Sequence, residues 1–191
     1  LMDPTVYTRP NQQSALDESE FVDLAVLELL GGGYIEKVVD IPRVCSPLSV
    51  VCNGVGKKRL VVNLRHVNQC LWKQKFKYED LRVALMLFNP GEWMFTFDLK
   101  AGYHHIEIVP HHRTYLGFAW KAEHYVFTVL PFGLSSAPYA FTKIMRPLVR
   151  WWRGKGIRIV VYLDDGICAV GSEQQAWRTS GLVRESRFCS K

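Results

Sequence analysis

The chain has 191 residues, 48% of them hydrophobic, 22% charged and 13% aromatic, which excludes a disordered chain and suits one globular domain or two small sub-domains sharing a core. Lys and Arg outnumber Asp and Glu by 24 to 18, and the formal charge of +6 favours a polyanionic partner without specifying one.

Residues 1–13 are polar and read as a tail, and Leu1 in place of an initiator Met suggests an excerpt from a longer polyprotein. Asp17 with Glu20 three places later has the form of a capping box opening a helix through Phe21, Leu24, Leu27 and Leu30, which Gly31, Gly32 and Gly33 stop. From Tyr34 to Val62 the text is strand-like, punctuated by Pro42, Pro47 and the turn signal Asn53-Gly54. A short helix is expected over Tyr78 to Phe88 and a strand over Trp93 to Asp98, then a turn and an extended stretch through Ile108. Tyr115 to Leu130 reads as a hairpin turning near Lys121-Ala122-Glu123. Ser135 and Ser136 can cap a helix whose apolar stripe is Phe141, Ile144, Met145, Leu148, Val149 and Trp152, with Pro147 expected to kink it. Apolar runs Ile157 to Tyr162 and Ile167 to Val170 flank Asp164-Asp165-Gly166 in a strand–turn–strand pattern, and no helix is expected over Trp177 to Lys191. The expected class is a mixed α/β (α+β) chain around a mainly antiparallel sheet.

Five scattered cysteines at 45, 52, 70, 168 and 189 form no CxxC pair, so no zinc knuckle or disulfide framework is indicated. No apolar run reaches membrane-spanning length and no signal-peptide order opens the chain. The expected setting is intracellular, cytoplasmic or nuclear, with no membrane partner and no secretion.

Chemistry concentrates at two strand ends. Asp98 closes Trp93–Phe97, and Asp164-Asp165 closes Ile159–Leu163. Aspartates on adjacent strand ends can converge on two divalent ions roughly 3.5–4 Å apart, the arrangement phosphoryl transfer needs. Without metal three such carboxylates would repel one another, and Mg²⁺, a hard cation preferring oxygen ligands, resolves that conflict. The plain alternative is that Asp165-Gly166, between two apolar runs, is only a tight hairpin turn. His104-His105 and His111-His112 have no partner at zinc-like spacing. Lys57-Lys58-Arg59, and Arg146, Arg150, Arg153, Lys155 and Arg158, are charge clusters that suit phosphates or simply a solvated face.

Three ordered blocks carry a family resemblance. Phe97-Asp98-Leu99-Lys100-Ala101-Gly102-Tyr103-His104 resembles motif A of retrotransposon reverse transcriptases, Leu130-Pro131-Phe132-Gly133-Leu134-Ser135-Ser136-Ala137-Pro138 motif B, and Tyr162-Leu163-Asp164-Asp165 motif C. Upstream, Arg59–Asn68 is similar to the fingers block of the same family, and the wording is nearest to gypsy-like and DIRS-like elements. The resemblance implies a palm-type antiparallel sheet packed on helices, with a fingers sub-domain; the family's thumb and RNase H find no match, so the expectation is a truncated piece whose own activity is open. The resemblance divides the chain into a tail at 1–13, fingers at 14–77 and palm at 78–191, with 111–137 returning to the fingers.

The resemblance also implies site residues. Asp98 and Asp164 would be the main metal ligands, with the Leu99 carbonyl as a further oxygen and Asp165 as a supporting carboxylate. Two Mg²⁺ ions would be held, with Mn²⁺ an acceptable substitute. Tyr103 would exclude a 2′-hydroxyl, Arg59 would hold the triphosphate, and Phe132-Gly133 would floor the templating pair. Lys57, Lys58 and Tyr162 would meet nucleic acid. The implied partners are dNTPs and an RNA or DNA template with its primer, and the implied activity is RNA-directed DNA polymerisation. Asn63 stands where many relatives place an acidic residue. The rival reading is a non-catalytic retroelement remnant that binds nucleic acid or another partner.

Overall fold

The computed structural model describes residues 3–72, 76–79, 81–99 and 102–185. Lys100 and Ala101 of the first motif and residues 186–191 of the C-terminal segment lie outside them. In chain order the elements begin with β1 (Tyr7–Thr8), α1 (Gln13–Asp17), α2 (Ser19–Gly31), β2 (Ile35–Val38), β3 (Val44–Cys45), β4 (Leu48–Cys52), β5 (Lys58–Val62) and α3 (Arg65–Cys70). Then follow α4 (Leu81–Leu87), β6 (Trp93–Asp98), a 3₁₀ turn (Gly102–His105), α5 (Pro110–Arg113), β7 (Gly117–Trp120) and β8 (Glu123–Phe127). The last are α6 (Ala137–Gly154), β9 (Arg158–Tyr162), β10 (Asp165–Val170) and α7 (Glu173–Glu185). They form two compact units, residues 1–73 with 106–137 and residues 74–105 with 138–191.

The first unit holds a five-stranded sheet in the order β1-β3-β7-β8-β2 and a separate β4-β5 hairpin. Strand β3 runs parallel to both β1 and β7, so this sheet is mixed, while the other strand pairings among the described residues are antiparallel, as expected for a mainly antiparallel chain. Two-residue strands leave no periodicity to read in a sequence. The segment expected as a tail is built in: Tyr7 and Thr8 pair with Val44 and Cys45. The Asn11 amide donates to the Ala119 carbonyl and accepts from the Leu48 N–H, each at 2.9 Å.

Helix α2 differs from expectation in its start and its phase. Asp17 accepts a hydrogen bond from Gln13 within α1, and no side chain caps α2. Val22 and Val26, one turn apart, are its buried residues, while Leu24 and Leu27 are exposed. The β7-β8 hairpin turns at Lys121 and Ala122, both with positive φ (48° and 63°), the conformation that two-residue hairpin loops favour.

The second unit is built on an antiparallel sheet in the order β6-β10-β9. The apolar stripe of α6 is buried at Phe141, Met145, Val149 and Trp152, with Ile144 turned outward. Trp152 meets the Phe97 ring of β6 edge-on, with centroids 6.0 Å apart. Pro147 lies within α6, which continues through it on the exposed side. Contrary to the expectation that Trp177 onward lacks a helix, the structure forms α7 over Glu173–Glu185. Ser172 accepts from the Gln175 N–H at 3.3 Å, and the Gln175 amide oxygen accepts from the Gly171 N–H at 3.1 Å. This is a variant of the reciprocal capping box that marks a helix start.

Candidate active site

The two acidic strand ends are placed by register. Asp98, last residue of β6, lies opposite Asp165, first residue of β10, and Asp165 also lies opposite Tyr162 at the end of β9. Directly opposed residues of an antiparallel pair point to the same face, so Asp98, Asp165 and Tyr162 share one. With Thr96, Val160 and Ile167 they line a groove of about 610 Å³ that also includes Glu79 and Ala84.

The opposite face is packed, and there Gly166 shows what the Asp-Gly pair is for. Asp165 and Gly166 lie inside β10, and the turn is Leu163-Asp164. The reading of Asp165-Gly166 as a hairpin turn is therefore overturned. A Cβ on Gly166 would come within 2.0 Å of the Phe97 ring, which leaves space for glycine alone. The turn carries strain instead: Leu163 has φ of 56°, a region costly for a residue with a Cβ.

Asp164 occupies the second turn position and sits apart from the groove face. Its carbonyl accepts from the Leu99 N–H at 2.8 Å, tying the turn to the end of β6. Its Cβ faces Gly102, 3.8 Å from where a side chain there would begin. Tyr103 packs edge-on against Phe141 with centroids 5.4 Å apart. Burial, then the negative charge of Asp164, pushes its phenol up to about 12. The Leu99 carbonyl accepts from the Gly102 N–H at 3.0 Å, which leaves it one lone pair for another ligand.

The donors fit a hard divalent cation in kind, being carboxylates and one carbonyl. Among the described residues, however, no three His, Cys, Asp or Glu side chains lie close enough together to hold a metal ion. Asp98 and Asp165 share a face, and Asp164 must turn toward them to complete a three-carboxylate set.

The remaining predicted residues, except Tyr162, belong to the first unit. Arg59 is exposed on β5, and Lys57 is exposed in the preceding loop, its N–H bound to the Asn53 side chain at 2.8 Å. Lys58 has a carboxylate partner already, an ion pair with Glu18 that holds its ammonium above the ordinary value, so its charge is not offered to solvent alone. Phe132 is exposed, and Gly133 adopts φ of 91°, open to glycine without strain.

Asn68, not singled out by its sequence context, fixes that loop. Its amide donates to the Gly133 carbonyl and accepts from the Ser135 N–H, both at 2.8 Å. Its only sequence signal is its place at the end of the Arg59–Asn68 block. Asn63 in the same block accepts from the Arg65 N–H at 3.3 Å, a bond its amide oxygen can make as a carboxylate would.

Comparison with known proteins gives matches along most of the chain. The family model "Reverse transcriptase (RNA-dependent DNA polymerase)" matches residues 44–186. The chain is 27% identical over 163 residues to the retrovirus-related Pol polyprotein from transposon 297 of Drosophila melanogaster, covering 84% of this chain and 15% of that polyprotein. It is 30% identical over 168 residues to the corresponding polyprotein from transposon gypsy of the same organism, covering 85% of this chain and 16% of that one. The chain thus spans about one-sixth of the length of these relatives. Its fold is that of the foamy viral protease-reverse transcriptase solved in complex with dsDNA: TM-score 0.78 at 20% identity, covering 97% of this chain and 37% of that one.

Proposed function

The chain belongs to the reverse transcriptase (RNA-dependent DNA polymerase) family, and we propose that its second unit is the palm of a polymerase extending a primer with deoxynucleotides, its first unit the fingers. The observation that carries this reading is the register that puts Asp98 and Asp165 on one sheet face, with Asp164 on the strained turn between β9 and β10. The dsDNA in the foamy viral relative supports a nucleic-acid duplex as partner.

Asp98, Asp164, Asp165 and the second lone pair of the Leu99 carbonyl would hold two divalent ions, Mg²⁺ or Mn²⁺. When bound, such ions activate an attacking hydroxyl and stabilise the charge of a leaving oxygen. The other roles are positional. Tyr103, neutral at physiological pH and braced by Phe141, walls off the space a 2′-hydroxyl would take. Arg59 presents a planar, permanent charge suited to a triphosphate. Gly133, held by Asn68, lets a base pair approach the backbone, and Lys57 and Tyr162 meet the nucleic acid. Most of the rate enhancement then comes from orientation and electrostatics.

A second reading, a non-catalytic nucleic-acid-binding module, is favoured by one observation: no three carboxylates converge among the described residues. Primer extension on poly(rA)/oligo(dT) with Mg²⁺ separates the two, using this chain and a gypsy-transposon polymerase carrying it in place of its own segment. The polymerase reading requires dTTP incorporation that Asp98→Asn abolishes. Duplex binding that ignores Mg²⁺, with no incorporation by either protein, supports the module.

A further inference from the structure

Adjoining the carboxylate groove, with Glu79 lining both, the second unit has a cleft of about 220 Å³ with a different chemistry. Its walls include Lys77 and Tyr78 on one side and Thr142, Arg146, Arg150 and Arg153 of α6 on the other. Arg146, Arg150 and Arg153 fall on one helical arc because residues three, four and seven apart stack along an α-helix. That arc borders the buried Phe141–Met145–Val149–Trp152 stripe, so packing of the stripe fixes where the guanidinium groups emerge.

The charges in the cleft are not equivalent. Arg153 is neutralised: Glu79 takes both its terminal nitrogens in a bidentate pair at 2.8 and 2.7 Å. Arg153 also donates to the Ile159 carbonyl. This pair is a structural clamp holding residue 79 beside β9. Arg146, Arg150 and Lys77 have no hydrogen-bond or ion-pair partner among the described residues and are exposed. Three such cations around one concave space, whose one described lining carboxylate is already paired with Arg153, leave a site that favours an anion. Val161 and Leu163 line this cleft, while Val160 and Tyr162 line the carboxylate groove, so the two lie on opposite faces of edge strand β9.

We propose that the Lys77–Arg146–Arg150 cleft binds the phosphodiester backbone of a nucleic-acid strand, as a contact separate from the carboxylate groove. Arg146 and Arg150 stand about 6 Å apart along the helix axis, a repeat that lets them serve successive phosphates. Tyr78 adds a hydroxyl donor to the same walls, whereas the Thr142 hydroxyl already donates to the Pro138 carbonyl at 2.8 Å. The contact carries no sequence information, since it reads phosphate and not bases.

The inference rests on the polymerase reading for its choice of polyanion, but its test is independent of catalysis. Anisotropy of labelled single-stranded and duplex oligonucleotides would be measured in EDTA from 50 to 200 mM KCl. The proteins compared are the wild type, Arg146→Gln/Arg150→Gln, Lys77→Gln, and, as a charge-matched control for the double variant, Arg178→Gln/Arg184→Gln on α7. Each lost phosphate contact lowers the slope of log K against log[salt] by about 0.9 for duplex DNA. The double variant should therefore lose affinity across this range ~12-fold less steeply than the wild type. Lys77→Gln should show about half that change in slope, and the control should match the wild type. Equal slopes for all four proteins overturn the proposal. Oligonucleotide binding left intact while binding of a poly-glutamate peptide is lost overturns it in favour of an acidic protein partner. A failed primer-extension assay with these slope changes present removes the catalytic reading and leaves this site standing.

Discussion

Asp165 and Gly166 show how a residue pair acquires its meaning from packing. Asp-Gly between apolar runs favours a tight turn by local conformation, yet the β6-β10-β9 register draws both residues into a strand and passes the turn to Leu163-Asp164. The carboxylates themselves were legible as acidic residues closing apolar strands. Which of them share a face was not, because that depends on register with β6. Gly166→Ala should destabilise the second unit by about 1–3 kcal/mol, an overpacking cost against Phe97, read as a lowered urea midpoint. Tyr103 gives a pH signature. Its phenol is raised from 10.0 to about 12 by burial and by Asp164, so the folded state holds that proton more tightly than the unfolded chain. Its stabilising contribution is complete below pH 10 and is lost as pH rises through about 12. Tyr103→Phe should remove this part of the alkaline loss of stability, visible as a flatter decline of the denaturation midpoint above pH 10.

Among elements, those with a strong apolar period were readable and those without one were not. Strand β6 begins and ends where the alternation of its text does, and the α6 stripe is buried as spaced, except that Ile144 is exposed and Leu148 half-buried. Helix α7 escaped because Glu173–Glu185 is largely polar, and its Ser172–Gln175 cap carries the start. Ser172→Ala should cost about 0.5–2 kcal/mol, with the loss of helicity confined to α7 by amide exchange. The loop before α6 depends on a side chain of α3. Asn68→Ala removes both bonds at Gly133 and Ser135, so the loop should loosen, raising KM for dTTP several-fold with little change in duplex affinity. Asn68→Asp, which keeps only the acceptor, should fall between. Equal losses in duplex affinity and in KM would show that Asn68 acts on the fold at large.

At the scale of the molecule, the sequence signalled a mixed α/β chain of this family, and the matching family model and fold agree. The mixed sheet of the first unit was not legible, because β1 and β3 are two residues each and pair across more than thirty positions of chain. Long-range pairing of such short segments is decided by the core they complete, here Val44, Cys45 and Phe118, and not by local propensity.

Asp98, Asp164 and Asp165 are proposed to act together, although the structure draws only two of them to one face. The direct measurement is single-nucleotide incorporation with Mg²⁺ on a poly(rA)/oligo(dT) duplex by the gypsy-transposon polymerase carrying this chain, with and without Asp164→Asn. Incorporation should need Mg²⁺ and fall by at least ~10²-fold in the variant, with duplex affinity unchanged. Incorporation by Asp164→Asn at the wild-type rate would contradict joint action of the three carboxylates.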